Sequence, residues 1–138
     1  RKSNRDPKEC ELLWGGFIAT GETEEDLKIA KRNIAARISF YASTRTYRPA
    51  LDFHGWGDIN EALHKLSVEG KWEEMFALVT DEMVETLGFC GTGEEVANSL
   101  KDDLGPICSA AMWNEVEHLG ADHSKDEHVS HLIQIAKG

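Results

Sequence analysis

The chain has 138 residues, enough for one ordinary domain with its own core, and its 41% hydrophobic and 29% charged residues make a globular rather than a disordered balance. A formal charge of −10 argues against nucleic acid as a partner, because neutralising phosphates needs a basic excess. No apolar run approaches the roughly 20 residues that span a bilayer, and the opening Arg1-Lys2-Ser3-Asn4-Arg5-Asp6-Pro7 is no secretion signal. That opening also lacks an initiator Met, which hints at a start further upstream. Cys10, Cys90 and Cys108 are too widely spaced for a zinc motif and odd in number for a disulfide framework. They fit a reducing, cytoplasmic location, each as a small buried hydrophobe.

Glu11 to Thr20 (ELLWGGFIAT) is a mainly apolar run and predicts a buried parallel strand, weakened or closely approached at Gly15 and Gly16. Thr23 and Asp26 have capping spacing, and Leu27, Ala30, Ile34, Ile38 and Tyr41 recur at helical intervals up to about Ala42. Residues 43–57 (STRTYRPALDFHGWG) show no period and predict a long ordered loop or a pair of turns. Asp58 with Glu61 predicts a second capping box, opening a short helix that Gly70 stops. Trp72, Met75, Phe76 and Val79 mark one helix face, and Thr80 or Asp81 caps a further turn or two through Val84 and Leu87. Thr92 and Glu95 predict a third capping box, with Val96, Leu100 and Leu104 inward and Gly105 at the close. Residues 106–113 (PICSAAMW) predict a second buried strand, and Ser124 with Glu127 caps a last helix, about 126–137.

The predicted order is strand, several helices, strand, helix, so the class is α/β. The two strands should be parallel neighbours joined by a crossover. Two parallel strands make no independent sheet, since such sheets need more members and cover on both faces.

Particular words in the sequence account for this. Phe40-Tyr41-Ala42-Ser43-Thr44, Tyr47-Arg48-Pro49, His54-Gly55-Trp56-Gly57 and Phe89-Cys90-Gly91-Thr92-Gly93-Glu94-Glu95 resemble the luciferase-like monooxygenase superfamily, within it the branch that uses the deazaflavin coenzyme F-420. One departure is Gly93, where the family more often has Pro. The resemblance implies the carboxy-terminal portion of a (β/α)8 TIM barrel, covering residues 1–138 with about six strands missing upstream. In it 11–20 is strand seven, 22–89 a helical insertion, 93–104 helix seven, 106–113 strand eight and 126–137 helix eight. It also implies deazaflavin as cofactor, with flavin mononucleotide as the alternative, bound mainly by upstream strands, so no cofactor contact is assigned to this chain.

An insertion leaving a barrel strand at the catalytic face can wall a substrate site. Tyr47, Arg48, His54 and Trp56 are the candidate substrate-binding residues: a phenol, a fixed cation, an ionisable ring and a flat apolar plane suited to a small polar or anionic substrate. The plainer reading has Tyr47 and Trp56 packing the loop down and Arg48 pairing with an acid such as Asp52. The acids at 22–26 read as helix stabilisation rather than a phosphate site. His118, His123, His128 and His131 lack a completing ligand, so no metal is expected. The reading is a segment of an oxidoreductase whose partner is its missing amino-terminal half or another copy of itself. Its rivals are a non-catalytic remnant and a self-associating helical binding module.

Overall fold

The computed structural model describes Asp6 and residues 10–112. Its elements in chain order are β1 (Leu13–Gly15), β2 (Phe17–Thr20), α1 (Glu24–Ala42), a 3-10 turn (Arg45–Tyr47), α2 (Arg48–Phe53), α3 (Gly57–Glu69), α4 (Trp72–Leu78), α5 (Asp81–Leu87), β3 (Gly88–Gly91), α6 (Gly93–Leu104) and β4 (Ala110–Met112).

The predicted first strand is present but broken. Gly16 separates β1 from β2, and a Cβ there would collide with the Trp14 indole. Each half takes a different partner. β1 runs parallel to β4, with Leu13 opposite Ala110, as the crossover argument requires of residues 11–20 and 106–113. β2 runs parallel to β3, with Phe17 opposite Gly88 and Thr20 opposite Gly91. β3 is a correction: the insertion expected over 22–89 ends at Leu87, and the described residues hold one strand more than their periodicity shows. Four residues that begin and end with glycine carry too little alternation to register as a strand. The second predicted strand is shorter than 106–113. Ile107 and Cys108 amides turn back to the Leu104 carbonyl, and pairing starts only at Ser109, whose amide donates to the Leu12 carbonyl at 2.8 Å. Trp113 and the predicted helix 126–137 lie outside the described residues.

The caps explain why most helices fall where they were predicted. The Asp26 amide donates to Thr23 Oγ1 at 3.1 Å, opening α1, and the Met83 amide donates to Thr80 Oγ1 at 3.3 Å, opening α5. At α6 the box is reciprocal: the Glu95 amide donates to Thr92 Oγ1 at 3.3 Å, and the Thr92 amide donates to the Glu95 carboxylate at 2.8 Å. Gly70 ends α3 in the left-handed conformation, φ 71°, which favours a residue without Cβ. The predicted Asp58/Glu61 box does not form. Trp56 sits at the cap position of α3 with no side-chain bond, and Glu61 is drawn instead to Arg48. The stretch expected as loop or turns is largely helical as well, because Pro49 falls in the first turn of α2, where no amide partner is needed.

The core lies between β2 and the helices. Ala19, Ile34, Ile38, Leu63, Met75, Met83 and Val84 form its buried cluster, with Phe17, Leu27, Trp56 and Cys90 packed against it. The cysteines depart from the burial expected of each. Cys10 is exposed, whereas Cys90 and Cys108 are partly covered. Burial beside Val84 pushes the Cys90 thiol above its ordinary range, against the pull of the Lys31 ammonium.

Leu63→Ala lowers the unfolding free energy by about 2–5 kcal/mol and Thr92→Ala by about 1 kcal/mol; a Leu63→Ala loss below that range in urea titration would show that α3 does not close the core. The Thr92 amide and hydroxyl hold the Glu95 carboxyl below its usual range, so its contribution is present above the unfolded pKa and lost as pH falls through the folded one. The stabilities of Glu95→Gln and the parent therefore converge in acid. Iodoacetamide labels Cys10 well before Cys90, read by peptide mass; the reverse order would place Cys90 in the open.

Candidate functional site

α1 determines where the predicted site residues sit. It leaves the carboxyl end of β2 after Thr20, packs along β2, and brings Tyr41 beside Phe17 at the amino end, ring centroids 6.0 Å apart. The 3-10 turn and α2, which come directly after α1, therefore lie towards the amino ends of the strands. In a parallel barrel the chemistry collects at the carboxyl ends, so this placement differs from the catalytic-face position expected of the insertion.

The four predicted residues do not form one site. Tyr47 meets Tyr41 edge-to-face at 5.7 Å and lines an apolar cleft of about 380 Å³ together with Gly16, Phe17, Arg37 and Leu51. Arg48 lines a second, polar cleft with Arg45, Asn60, Glu61, His64 and Lys65. Its guanidinium bonds Glu61 through Nη1 and reaches Asp52 across one helical turn at 3.6 Å, so the pairing weighed from sequence is the one present. Those two carboxylates, the Glu61 bond foremost, raise its already high pKa further. His54 stacks on Trp56 at 4.8 Å and 21°, and Trp56 packs on the core. Neither lines the two clefts.

Sequence reasoning missed Asn60, which builds this region. It is 1% exposed, and its Nδ2 donates to the carbonyls of Ala42 at 2.6 Å and Thr44 at 3.2 Å. A polar residue on the inner face of a predicted helix, beside Leu63, was the available signal.

At the other end, β2 and β3 finish at Thr20 and Gly91, where α1 and α6 begin. Thr20 Oγ1 is buried and is, among the described residues, the side-chain oxygen left without a hydrogen-bond partner. Two helix N-termini converge towards this end and would favour an anion, but Glu24, Glu25 and Asp26 occupy the first turn of one, and Glu94 and Glu95 that of the other. No cluster of His, Cys, Asp and Glu able to hold a metal occurs among the described residues. No helix among them is long and apolar enough to cross a membrane.

Comparison with known proteins fits this α/β arrangement. Uncharacterized proteins of Mycobacterium tuberculosis and of Mycobacterium bovis are 37% identical to the chain over 101 residues, which is 73% of this chain and 30% of theirs. The chain thus spans about a third of the length of these relatives. No solved structure gives a significant match. Luciferase-like monooxygenases generally work with reduced flavin or deazaflavin, both phosphate-bearing, and the acid-filled helix starts beyond β2 and β3 do not fit such a phosphate. The luciferase-like monooxygenase profile matches residues 1–104, three quarters of the sequence, and the chain belongs to that family.

Proposed function

We propose that the chain is the carboxy-terminal segment of a flavin- or deazaflavin-dependent oxidoreductase that acts on a small organic substrate, by hydride transfer or monooxygenation. The observation that carries this is the pair of parallel strands, β2 and β3, each followed directly by a capped helix, within the span matched by the family. Repeated strand–helix units of this kind are what a parallel barrel is built from. The deazaflavin coenzyme F-420 is our preferred cofactor, from the words at Tyr41–Trp56, and the protein's location in this reading is the cytoplasm.

The rest of the barrel is the proposed partner. Two-stranded parallel sheets leave edges unpaired. Beside β1 and β4, Leu12 is 55%, Leu13 65% and Ile107 64% exposed, a patch that further strands or a second copy would cover. The orphan Thr20 hydroxyl points the same way, since a buried polar atom without a partner costs about 1–3 kcal/mol. In this reading the cofactor is bound by the remainder of the protein, and the described residues supply strands, helical cover and a remote wall.

The substrate role of the four predicted residues enters in a narrower form. Tyr47 and Arg48, which line clefts, face ligand, while the stacked His54 and Trp56 pack the turn. Being remote from the strand carboxyl ends, the first pair affects binding rather than the chemical step. In the whole protein Tyr47→Ala raises KM several-fold at unchanged kcat, and His54→Ala moves neither; a fall in kcat for His54→Ala would return that ring to the reaction centre. The 138-residue chain does not bind flavin mononucleotide or F-420 at micromolar concentration, whereas the whole protein binds one of them. Micromolar binding to the chain alone, followed by cofactor fluorescence, would overturn the segment reading.

A further inference from the structure

The polar cleft between the 3-10 turn and α3 enters the redox reading only through Arg48, as a contact remote from the strand carboxyl ends. It encloses about 410 Å³ and is lined by Arg45, Arg48, Asn60, Glu61, His64 and Lys65. Three of these six side chains, Arg45, Arg48 and Lys65, are cations against the one acid Glu61, in a chain of formal charge −10. The cleft is thus a local inversion of an acidic surface.

Its construction is rigid on one side and adjustable on the other. Asn60, Glu61, His64 and Lys65 share one face of α3, being one turn apart in pairs. Asn60 takes up the Ala42 and Thr44 carbonyls, and His64 Nδ1 lies 3.2 Å from the Ser43 carbonyl. A carbonyl only accepts, so Nδ1 carries the hydrogen and Nε2 is the nitrogen left for another partner. The carbonyls at the end of α1, which would repel an anion, are in this way engaged by side chains. On the adjustable side Arg48 is held by Glu61 and Asp52, both exposed acids that compete with any incoming anion.

A simpler role for these bases is to offset the negative end of α1, whose last turn holds no basic residue. That accounts for a cation or two beside the helix end, not for three disposed around a cavity. We propose that the cleft binds a phosphate group, free or as the monoester of a small molecule, with Arg48 exchanging Glu61 for the phosphate oxygens. Several donors converging from two walls suit an ion with three accepting oxygens, and arginine forks match it in pairs. The volume exceeds that of a bare phosphate, which favours the ester.

The test is calorimetric titration of the full chain with inorganic phosphate and with glycerol phosphate, against sodium chloride at matched ionic strength. Saturable binding is expected for both phosphates, tighter for the ester, with none for chloride. Tighter binding of inorganic phosphate would leave the site but assign it to the free ion. Arg45→Ala combined with Lys65→Ala weakens binding at least tenfold, and Glu61→Gln strengthens it several-fold by releasing Arg48. Chloride acting as phosphate does, or a Glu61→Gln variant that binds no better, would overturn the exchange. Lower thermal stability of the double variant, with no phosphate binding to the parent, would reduce the bases to balancing the helix end. Neither result depends on flavin chemistry, so the cleft and the redox reading stand or fall separately.

Discussion

Two adjacent parallel strands cannot be joined by a tight turn, and most of this architecture derives from that constraint on β2 and β3. The chain must return from the carboxyl end of β2 to the amino end of β3, and it does so through α1 to α5. α1 is the return path, packing against β2 and against α3, α4 and α5. Its buried Ile34 and Ile38 meet Leu63, Met75, Met83 and Val84 from the other helices, so the crossover is also the core. The Lys31 ammonium adds a bond to Glu85 at 2.5 Å between α1 and α5. That pair is partly exposed and orients the helices more than it stabilises them.

Since α1 fixes which end of the strands each later residue reaches, locating the site from sequence needs strand polarity and helix length together. The helix was legible and the end was not. An insertion that leaves a strand at the catalytic face is expected to stay there, but nineteen helical residues carry the chain past the short β2 to its amino end before Tyr47 is reached. The predicted substrate-wall residues accordingly follow α1 and lie towards the amino ends of the strands.

The parts of the fold legible in sequence are those set by local bonds. Thr23, Thr80 and Thr92 announce helices because each hydroxyl meets an amide three residues on, and Gly70 ends one because its φ is positive. The illegible parts depend on distant residues. β3 is a strand because Phe17 to Thr20 lie beside it, not because Gly88 to Gly91 favour extension. Glu61 has capping spacing from Asp58, but an arginine from a different turn claims its carboxylate. The Arg48–Asp52 pair was readable as a one-turn spacing, whereas the surrounding cations were not. Arg45 and Lys65 come to one cleft only because Asn60 fastens the turn after α1 to α3.

Charge is segregated along the strands in consequence. The helices that begin at the strand carboxyl ends open with Glu24, Glu25 and Asp26 and with Glu94 and Glu95, each acid favourable beside a positive helix start. Beyond the far end of α1 the balance reverses, with Arg45, Arg48 and Lys65 outnumbering Glu61 around one cavity. An anion approaching this chain is repelled at the first end and attracted at the second, over distances of about the 8–10 Å that salt allows. A phosphate-bearing redox cofactor at the strand carboxyl ends would then need its counter-charge from the rest of the protein, because the acids that stabilise α1 and α6 oppose it. This chain's own capacity for anions lies at the opposite end, and it is the acidic helix caps, as much as the basic cleft, that place it there.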